Sequence, residues 1–551
     1  MTATPPPVTD SAAAAPEPGS GSVVPAARTT AESTEAAPPT RKFLARATLV
    51  TAVLTAIGSL LGLGRDQALS YLFGAGSETD AFLVAWTIPE FAATLLIEDG
   101  MAIVLVPMLS VAVARRAQGA PGDPVRSLVA TTLPRLSLAF AAVAAVLMAG
   151  APYVVGVLAP GLSDPGLAVY CTRLTATCVF TFGLAGYCSA ALRAHRRFTA
   201  PAAIYVAYNA AIIAAMFVLG GAWGVRAAAV GVAVGGALMI LAQLPSLLRE
   251  LRRKSAASVG TAEPERPMSL VLVSTVLLFA LCRQAQVLIE RFIGSTLPAG
   301  AISHLNYAQK VAQIPMTFSL MLCTVTFPVV AQALAEGDTE RARKRVEKDL
   351  VLVASIVLLG AAAIVACAPQ MTELLFQRGA FTAQDTAATA SVMRVYALGL
   401  LGHSLVGALI RSYFSSRRPT WYPLAAMAAG IFVTSLIGAV TAGTWGVRGI
   451  AAANAAGITV TALLLLHGVG GRGVPIRVRQ VVADMGRPVR AAVLACAAGL
   501  FCASGVDSAV LGLALGLAVV SLVFVALAWT GAGAVPVLRS VTRRLPHVRN
   551  R

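Results

Sequence analysis

Residues 71–100 read YLFGAGSETDAFLVAWTIPEFAATLLIEDG. From Ala81 onward the run is largely apolar, yet it holds Pro89 and follows or contains the carboxylates Glu78, Asp80, Glu90, Glu98 and Asp99. Its length suits the roughly 20 residues that a helix needs to cross hydrocarbon. A carboxylate inside a bilayer is costly and normally faces a partner or a water-filled interior. A proline removes a helical hydrogen bond and bends the helix. The segment therefore predicts a membrane helix with Asp80 at its outer end, a kink at Pro89, and Glu90, Glu98 and Asp99 turned inward.

The rest of the chain agrees. Of its 551 residues, 57% are hydrophobic and only 12% charged, against about 25% charged in soluble domains, and the mean hydropathy is +0.76. The net charge of +18 does not indicate a nucleic-acid partner, because Lys and Arg sit in short segments between apolar runs rather than on one face. All eight cysteines fall within apolar segments without metal-ligand spacing and read as small buried hydrophobes. The five histidines are scattered and no phosphate loop occurs, so neither an enzyme, a metal nor a cofactor is expected. Residues 1–40 are poor in large apolar side chains and read as a disordered cytoplasmic tail. No cleavable signal pattern is seen, and the first apolar run, near Phe43 after Arg41 and Lys42, reads as a retained span.

Fourteen spans are expected, near 43–64, 80–113, 129–158, 166–192, 199–220, 224–248, 268–293, 302–334, 350–371, 383–410, 419–442, 446–468, 489–505 and 508–530. With both termini inside, the outer connections hold only Arg65, Arg226, Arg378 and Arg448, as the positive-inside rule requires.

Trp-Gly-Val-Arg occurs at 223–226 and again at 445–448, and the basic turn 193–201 resembles 411–423. The long second and eighth spans each carry two prolines, Pro89 and Pro107 against Pro315 and Pro328. These matches predict two parallel six-helix repeats, at 41–248 and 268–470, with a pathway between them. A cytoplasmic linker (249–267), a helix pair (471–530) and a basic tail (531–551) complete the all-α integral membrane architecture. The four prolines are candidate hinges.

Arg173, Arg283, Arg291, Lys310 and Arg394 fall inside spans. Such cations either face a polar chamber or, for Arg173, Arg291 and Arg394 near span ends, reach the headgroups.

Several segments resemble the MurJ (MviN) family of lipid II flippases, in the multidrug/oligosaccharidyl-lipid/polysaccharide exporter superfamily. They are Gly-Leu-Gly-Arg-Asp (62–66), Phe-Gly-Ala-Gly-Ser-Glu-Thr-Asp-Ala-Phe (73–82), Ile-Pro (88–89), Glu-Arg-Phe-Ile-Gly-Ser (290–295), Ala-Gly-Ala-Ile-Ser-His-Leu-Asn-Tyr-Ala (299–308) and Leu-Phe-Gln-Arg-Gly-Ala-Phe-Thr-Ala-Gln-Asp-Thr (375–386). The resemblance implies a multi-pass protein of the bacterial cytoplasmic membrane. It would export an undecaprenyl-diphosphate-linked disaccharide-peptide by alternating access, with a cationic central cavity for the headgroup and a groove by the last two helices for the tail. Arg65, Lys310, Arg283 and Arg291 become headgroup candidates, and Asp80, Glu90, Glu98, Asp99 and Glu290 cavity or gate candidates.

The chain departs from the family where an arginine pair usually stands; Ala93 and Thr94 replace it, and Lys310 stands where arginine is usual. No carboxylate lies in 419–442 to support a sodium site. Two further readings follow: export of another polyprenyl-linked glycan or amphipathic molecule, and a transport-inactive scaffold in a cell-wall complex. The expected partners are the lipid-linked precursor, membrane lipid and other cell-wall or division proteins, around a monomer.

Overall fold

The structure, a computed structural model, describes residues 41–98, 100–119, 122–252, 270–415, 420–472 and 476–530. The expected tails, most of the linker, and Asp99 lie outside the described residues. Among the described residues, seventeen α-helices follow in order. The first half comprises α1 (Arg41–Phe73), α2 (Ser77–Ala93), a π-helical turn (Thr94–Glu98), α3 (Gly100–Ala117), α4 (Pro124–Ala149), α5 (Ala151–Leu158), α6 (Pro165–Ala194), α7 (Thr199–Trp223) and α8 (Arg226–Arg252). The second comprises α9 (Leu270–Gly294), α10 (Ala301–Ala335), α11 (Thr339–Phe376), α12 (Ala383–Ala397), α13 (Leu400–Ser415), α14 (Tyr422–Trp445) and α15 (Val447–Arg472), before α16 (Val478–Ser504) and α17 (Ala509–Thr530).

Local sequence sets the helix ends. Asp123 accepts hydrogen bonds from Val125 N and Arg126 N with Pro124 opening α4, and Asp164 accepts from Leu167 N with Pro165 opening α6. Thr382 and Asp385 form a reciprocal capping box at the start of α12. The two Trp-Gly-Val-Arg motifs have nearly the same backbone: Gly224 and Gly446 end α7 and α14 at φ 56° and 57°, a region that favours glycine.

Among the described residues, eleven helical segments are long and apolar enough to cross a membrane, or twelve with the bent pair α12–α13 taken as one. Several bounds differ from the sequence reading. α1 continues to Phe73, so Arg65 lies on a helix rather than in a connection. Gly150 divides α4 from α5 within the third expected span. Neither α10 nor α3 ends at its proline. The break in the second span comes five residues after Pro89, at the π-turn, where a Cβ on Gly186 would collide with the Leu96 carbonyl. α11 kinks at Cys367 (φ −112°, ψ 18°), two residues before Pro369, and α12 meets α13 at 46°.

Helix neighbours recur between the halves. α7 packs on α1 and α8, as α14 packs on α9 and α15. α6 bridges α2 and α8, as the α12–α13 pair bridges α10 and α15. At the α14–α15 contact, Cβ atoms on Gly430 and Gly457 would collide with Thr461 Oγ1 and Thr434 Oγ1, so small residues set this close approach. α16 and α17 pair and lie against α11.

Each half is cored separately. The first holds clusters around Phe82, Phe182 and Met239 and around Leu109 and Tyr187, and among the described residues only Ile302 crosses into them from the second half. The second has clusters around Tyr413 and around Tyr307 and Tyr396. The boundary between halves is therefore not a shared apolar core, which leaves room there for a polar site.

Candidate functional site

A polar cavity of about 440 Å³ lies between the halves. Arg65, Trp86, Pro89, Glu90, Glu98, Tyr205, Tyr208 and Asn209 form its first-half wall; Arg283, Gln286, Gln309, Lys310, Gln313, His403 and Asn454 face them. The sequence singled out Arg65, Pro89, Glu90, Glu98, Arg283 and Lys310, and the fold brings all six together. It missed Trp86, Tyr205, Tyr208, Asn209, Gln286 and Asn454, because a neutral polar or aromatic residue in an apolar run carries no marked charge.

The charges here are largely paired. Arg65 reaches Asp66 Oδ1 at 2.7 Å and Asn209 Oδ1 at 3.2 Å, and its guanidinium lies 4.2 Å from the Trp86 ring centroid. Lys310 Nζ lies 3.9 Å from Glu90 Oε1 across the halves. Glu98 accepts a 3.0 Å hydrogen bond from Tyr205. Cations and carboxylates thus face one another where the resemblance implies a cationic chamber.

Other candidates lie elsewhere. Arg291 is only 3% exposed, donates to Ile302 O at 3.4 Å and does not line the cavity, so it cannot meet a headgroup there. Burial between α9 and α10 is the reason. Glu290 is likewise enclosed behind the wall, accepting from Asn454 Nδ2 at 2.5 Å and from the Tyr396 hydroxyl at 3.5 Å. His403 Nε2 lies 3.0 Å from Asn454 Oδ1, and His304 Nδ1 lies 2.9 Å from Thr389 Oγ1, so both are packed polar residues. Arg173 is exposed on α6, and Arg394 donates to Val365 O; neither lines the cavity. Among the described residues no His, Cys, Asp or Glu group could hold a metal ion.

Of the proposed hinges, Pro107 lies within α3 and Pro315 packs against Gly360 on α11. Nothing is described of the Pro328 side chain.

One end of the cavity is sealed by loops of both halves. Asp80, 4% exposed, crosses to the start of α10 and accepts from Gly300 N (2.7 Å), Ser303 N (2.7 Å) and Ser303 Oγ (2.6 Å). A carboxylate there satisfies orphan amides and meets the positive end of the helix dipole. Ala380 N donates to Tyr71 O at 2.9 Å, Gln67 Nε2 to Leu375 O at 3.2 Å, and the Tyr307 hydroxyl to Gly74 O at 3.3 Å. Glycines permit these approaches: Gly379 (φ +63°) lies against Tyr71 O and Gly300 (φ +94°) against Ala75 O. Behind them Tyr307, Phe376 and Phe381 cluster with ring centroids 5.0–6.0 Å apart.

At the other, arginine-rich end, Arg197 pairs with Glu250 at 2.9 Å, Arg126 donates to Leu251 O at 2.8 Å, and Arg477 N donates to Glu347 at 2.7 Å, each contact within one half.

An apolar groove of about 1120 Å³ adjoins the cavity, between α2, α4, α5 and α6 on one side and α9 and α14 on the other. α2 and α9 form the partition: Pro89 and Arg283 face the polar side, Ile88, Phe91, Leu288 and Phe292 the apolar one. This groove is not at α16–α17, where the resemblance implies the tail.

The family model described as Lipid II flippase MurJ matches residues 69–517. The lipid II flippase MurJ of Burkholderia cenocepacia is 29% identical over 445 residues, covering 78% of this chain and 84% of that protein. A probable lipid II flippase MurJ of Vibrio cholerae is 24% identical over 470 residues, covering 80% and 86%. Among solved structures, a lipid II flippase MurJ in an inward closed conformation superposes with a TM-score of 0.69 at 18% identity, covering 87% of this chain and 98% of that one. An inward-facing multidrug resistance MATE family transporter of the MOP superfamily gives a TM-score of 0.60 at 15% identity, covering 79% and 99%.

Proposed function

This chain belongs to the lipid II flippase MurJ family, and from that premise we infer that it is a multi-pass transporter of the cytoplasmic membrane that carries lipid II to the outer leaflet. The observation that carries the reading is the polar cavity between two separately cored halves, closed at one end and bordered by an apolar groove. A diphosphate cannot cross hydrocarbon bare. A cavity offering Arg283 and Lys310 can exchange headgroup hydration for charged hydrogen bonds. The groove beyond α2 and α9 lets the prenyl chain remain in an apolar medium.

The finer arrangement follows the same reasoning. Adding α9 and α10, of 25 and 35 residues, to the twelve candidate spans gives fourteen. The recurring helix neighbours and paired Trp-Gly-Val-Arg turns support two parallel six-helix repeats, with α16 and α17 outside them. The positive-inside pattern supports a cytoplasmic position for both termini. The seal through Asp80 is then the outer gate, and the cavity faces inward. Alternating access requires Asp80 to release α10 as the arginine-rich ends close. Arg65 serves as a positioning residue, its charge already met by Asp66. Pro89 and the π-turn form the first-half hinge, with Pro107, Pro315 and Pro328 as further bends. Buried Glu290 and Arg291 organise the α9–α10 wall.

The test is complementation of a bacterial strain depleted of its own lipid II flippase, with outer-leaflet lipid II measured by labelling. Restored labelling and growth are expected. Continued accumulation of lipid II on the inner leaflet, with this protein present in the membrane, refutes the reading.

A further inference from the structure

The two walls of the cavity differ in what they leave unsatisfied. On the second-half wall, α9 presents the exposed Arg283 and the Nε2 of Gln286, a side chain 4% exposed whose amide nitrogen has no partner. Both are donors. On the first-half wall, the exposed Glu98 keeps only a neutral hydroxyl partner, Tyr205, and no Lys or Arg pairs with it among the described residues. Arg193 stands in the last turn of α6 and forms no ion pair with Glu98 among the described residues. Beside them the Tyr208 hydroxyl, on a side chain 4% exposed, is buried without a partner, and its ring lies 6.2 Å from that of Trp86. The remaining cavity cations, Arg65 and Lys310, are met by Asp66 and Glu90.

A carboxylate, an unsatisfied phenol and aromatic faces together form the kind of surface that holds an ammonium group. The opposite wall, with a guanidinium and a spare amide donor, suits an anion. We propose that Glu98, Tyr205 and Tyr208 form a subsite for a primary ammonium group of the cargo, while Arg283 and Gln286 take its diphosphate. The inference rests on the lipid II reading and deepens it: the favoured cargo carries a peptide stem with a free side-chain amine. The π-turn is what delivers this carboxylate, since Glu98 closes that turn and faces α7.

The experiment measures binding of the full-length protein in nanodiscs to two forms of lipid II, one with a free stem-peptide side-chain amine and one with that amine acetylated. The native protein is expected to favour the free amine about tenfold, or ~1.4 kcal/mol. Glu98→Gln, which keeps an acceptor for Tyr205 and removes the charge, is expected to bind both forms alike with an unchanged unfolding midpoint. Equal binding of the two forms by the native protein overturns the inference and leaves the lipid II reading standing. So does discrimination that survives in Glu98→Gln. Binding of neither form overturns the lipid II reading itself.

Discussion

Removing the Asp80 carboxylate should open the sealed end of the cavity. This side chain accepts two backbone N–H bonds and one hydroxyl bond from the start of α10, each at 2.6–2.7 Å, and is 4% exposed. Bonds to a charged acceptor contribute about 1.5–3 kcal/mol each. Counting only the two amides at the lower figure, Asp80→Ala costs the seal ~3 kcal/mol. Since 1.4 kcal/mol is a factor of ten, local opening should become about 100-fold more frequent. Asp80→Asn keeps an acceptor but loses the charge, and should give about tenfold. Hydrogen exchange over residues 299–308 reads this directly, because two of those amides are bonded to the carboxylate. Glu78→Gln, two residues from Asp80 on the same helix, is the control and should leave the segment unchanged. If Asp80→Ala stays folded and exchanges there within about threefold of the native protein, the carboxylate does not hold the halves together.

Three further perturbations test neighbouring parts of the structure. Gly379→Ala places a Cβ against the Tyr71 carbonyl at a positive φ, adding a backbone penalty of about 1–2 kcal/mol; faster exchange at 71–76 with an intact fold elsewhere is the expected result. Exchanging the charges of Lys310 and Glu90, 3.9 Å apart and about a quarter exposed, should reduce lipid II translocation in each single variant and restore it in the double. Failure of that rescue means the pair is not what matters at this site. Asn454→Leu strips buried Glu290 of its amide partner, and the fold should lose about 2–4 kcal/mol, read as a lower thermal midpoint; an unchanged midpoint contradicts the assigned network.

Much of the fold could be read along the chain. Helix ends at Asp123, Asp164 and Thr382 follow from caps within four residues, and each apolar run reports its own helix because lipid solvation depends on local composition. The residues that carried the family resemblance have a physical reason as well. Gly74, Asp80, Gly300 and Gly379 all lie at the seal, where two backbones approach closely and a helix start needs an acceptor. The bends were harder to place. Pro89 suggested the break in the second span, but the π-turn occurs at Thr94–Glu98, where Gly186 of another helix makes room.

The sequence by itself determined an all-helical membrane protein, its caps, its basic end and most of the charged residues that face the interior. Those properties depend on neighbours in the chain and on the cost of charge in hydrocarbon. Only the tertiary structure decided which charges remain free. Arg65 is met by Asp66 and Asn209, Lys310 by Glu90 some 220 residues away, and Arg291 is enclosed, while Arg283 and Glu98 stay open to the cavity. Ion pairing acts over a few ångströms in space; Arg65 and Asp66 are chain neighbours, but for Lys310 and Glu90 that distance is set by how the two halves meet rather than by spacing along the chain.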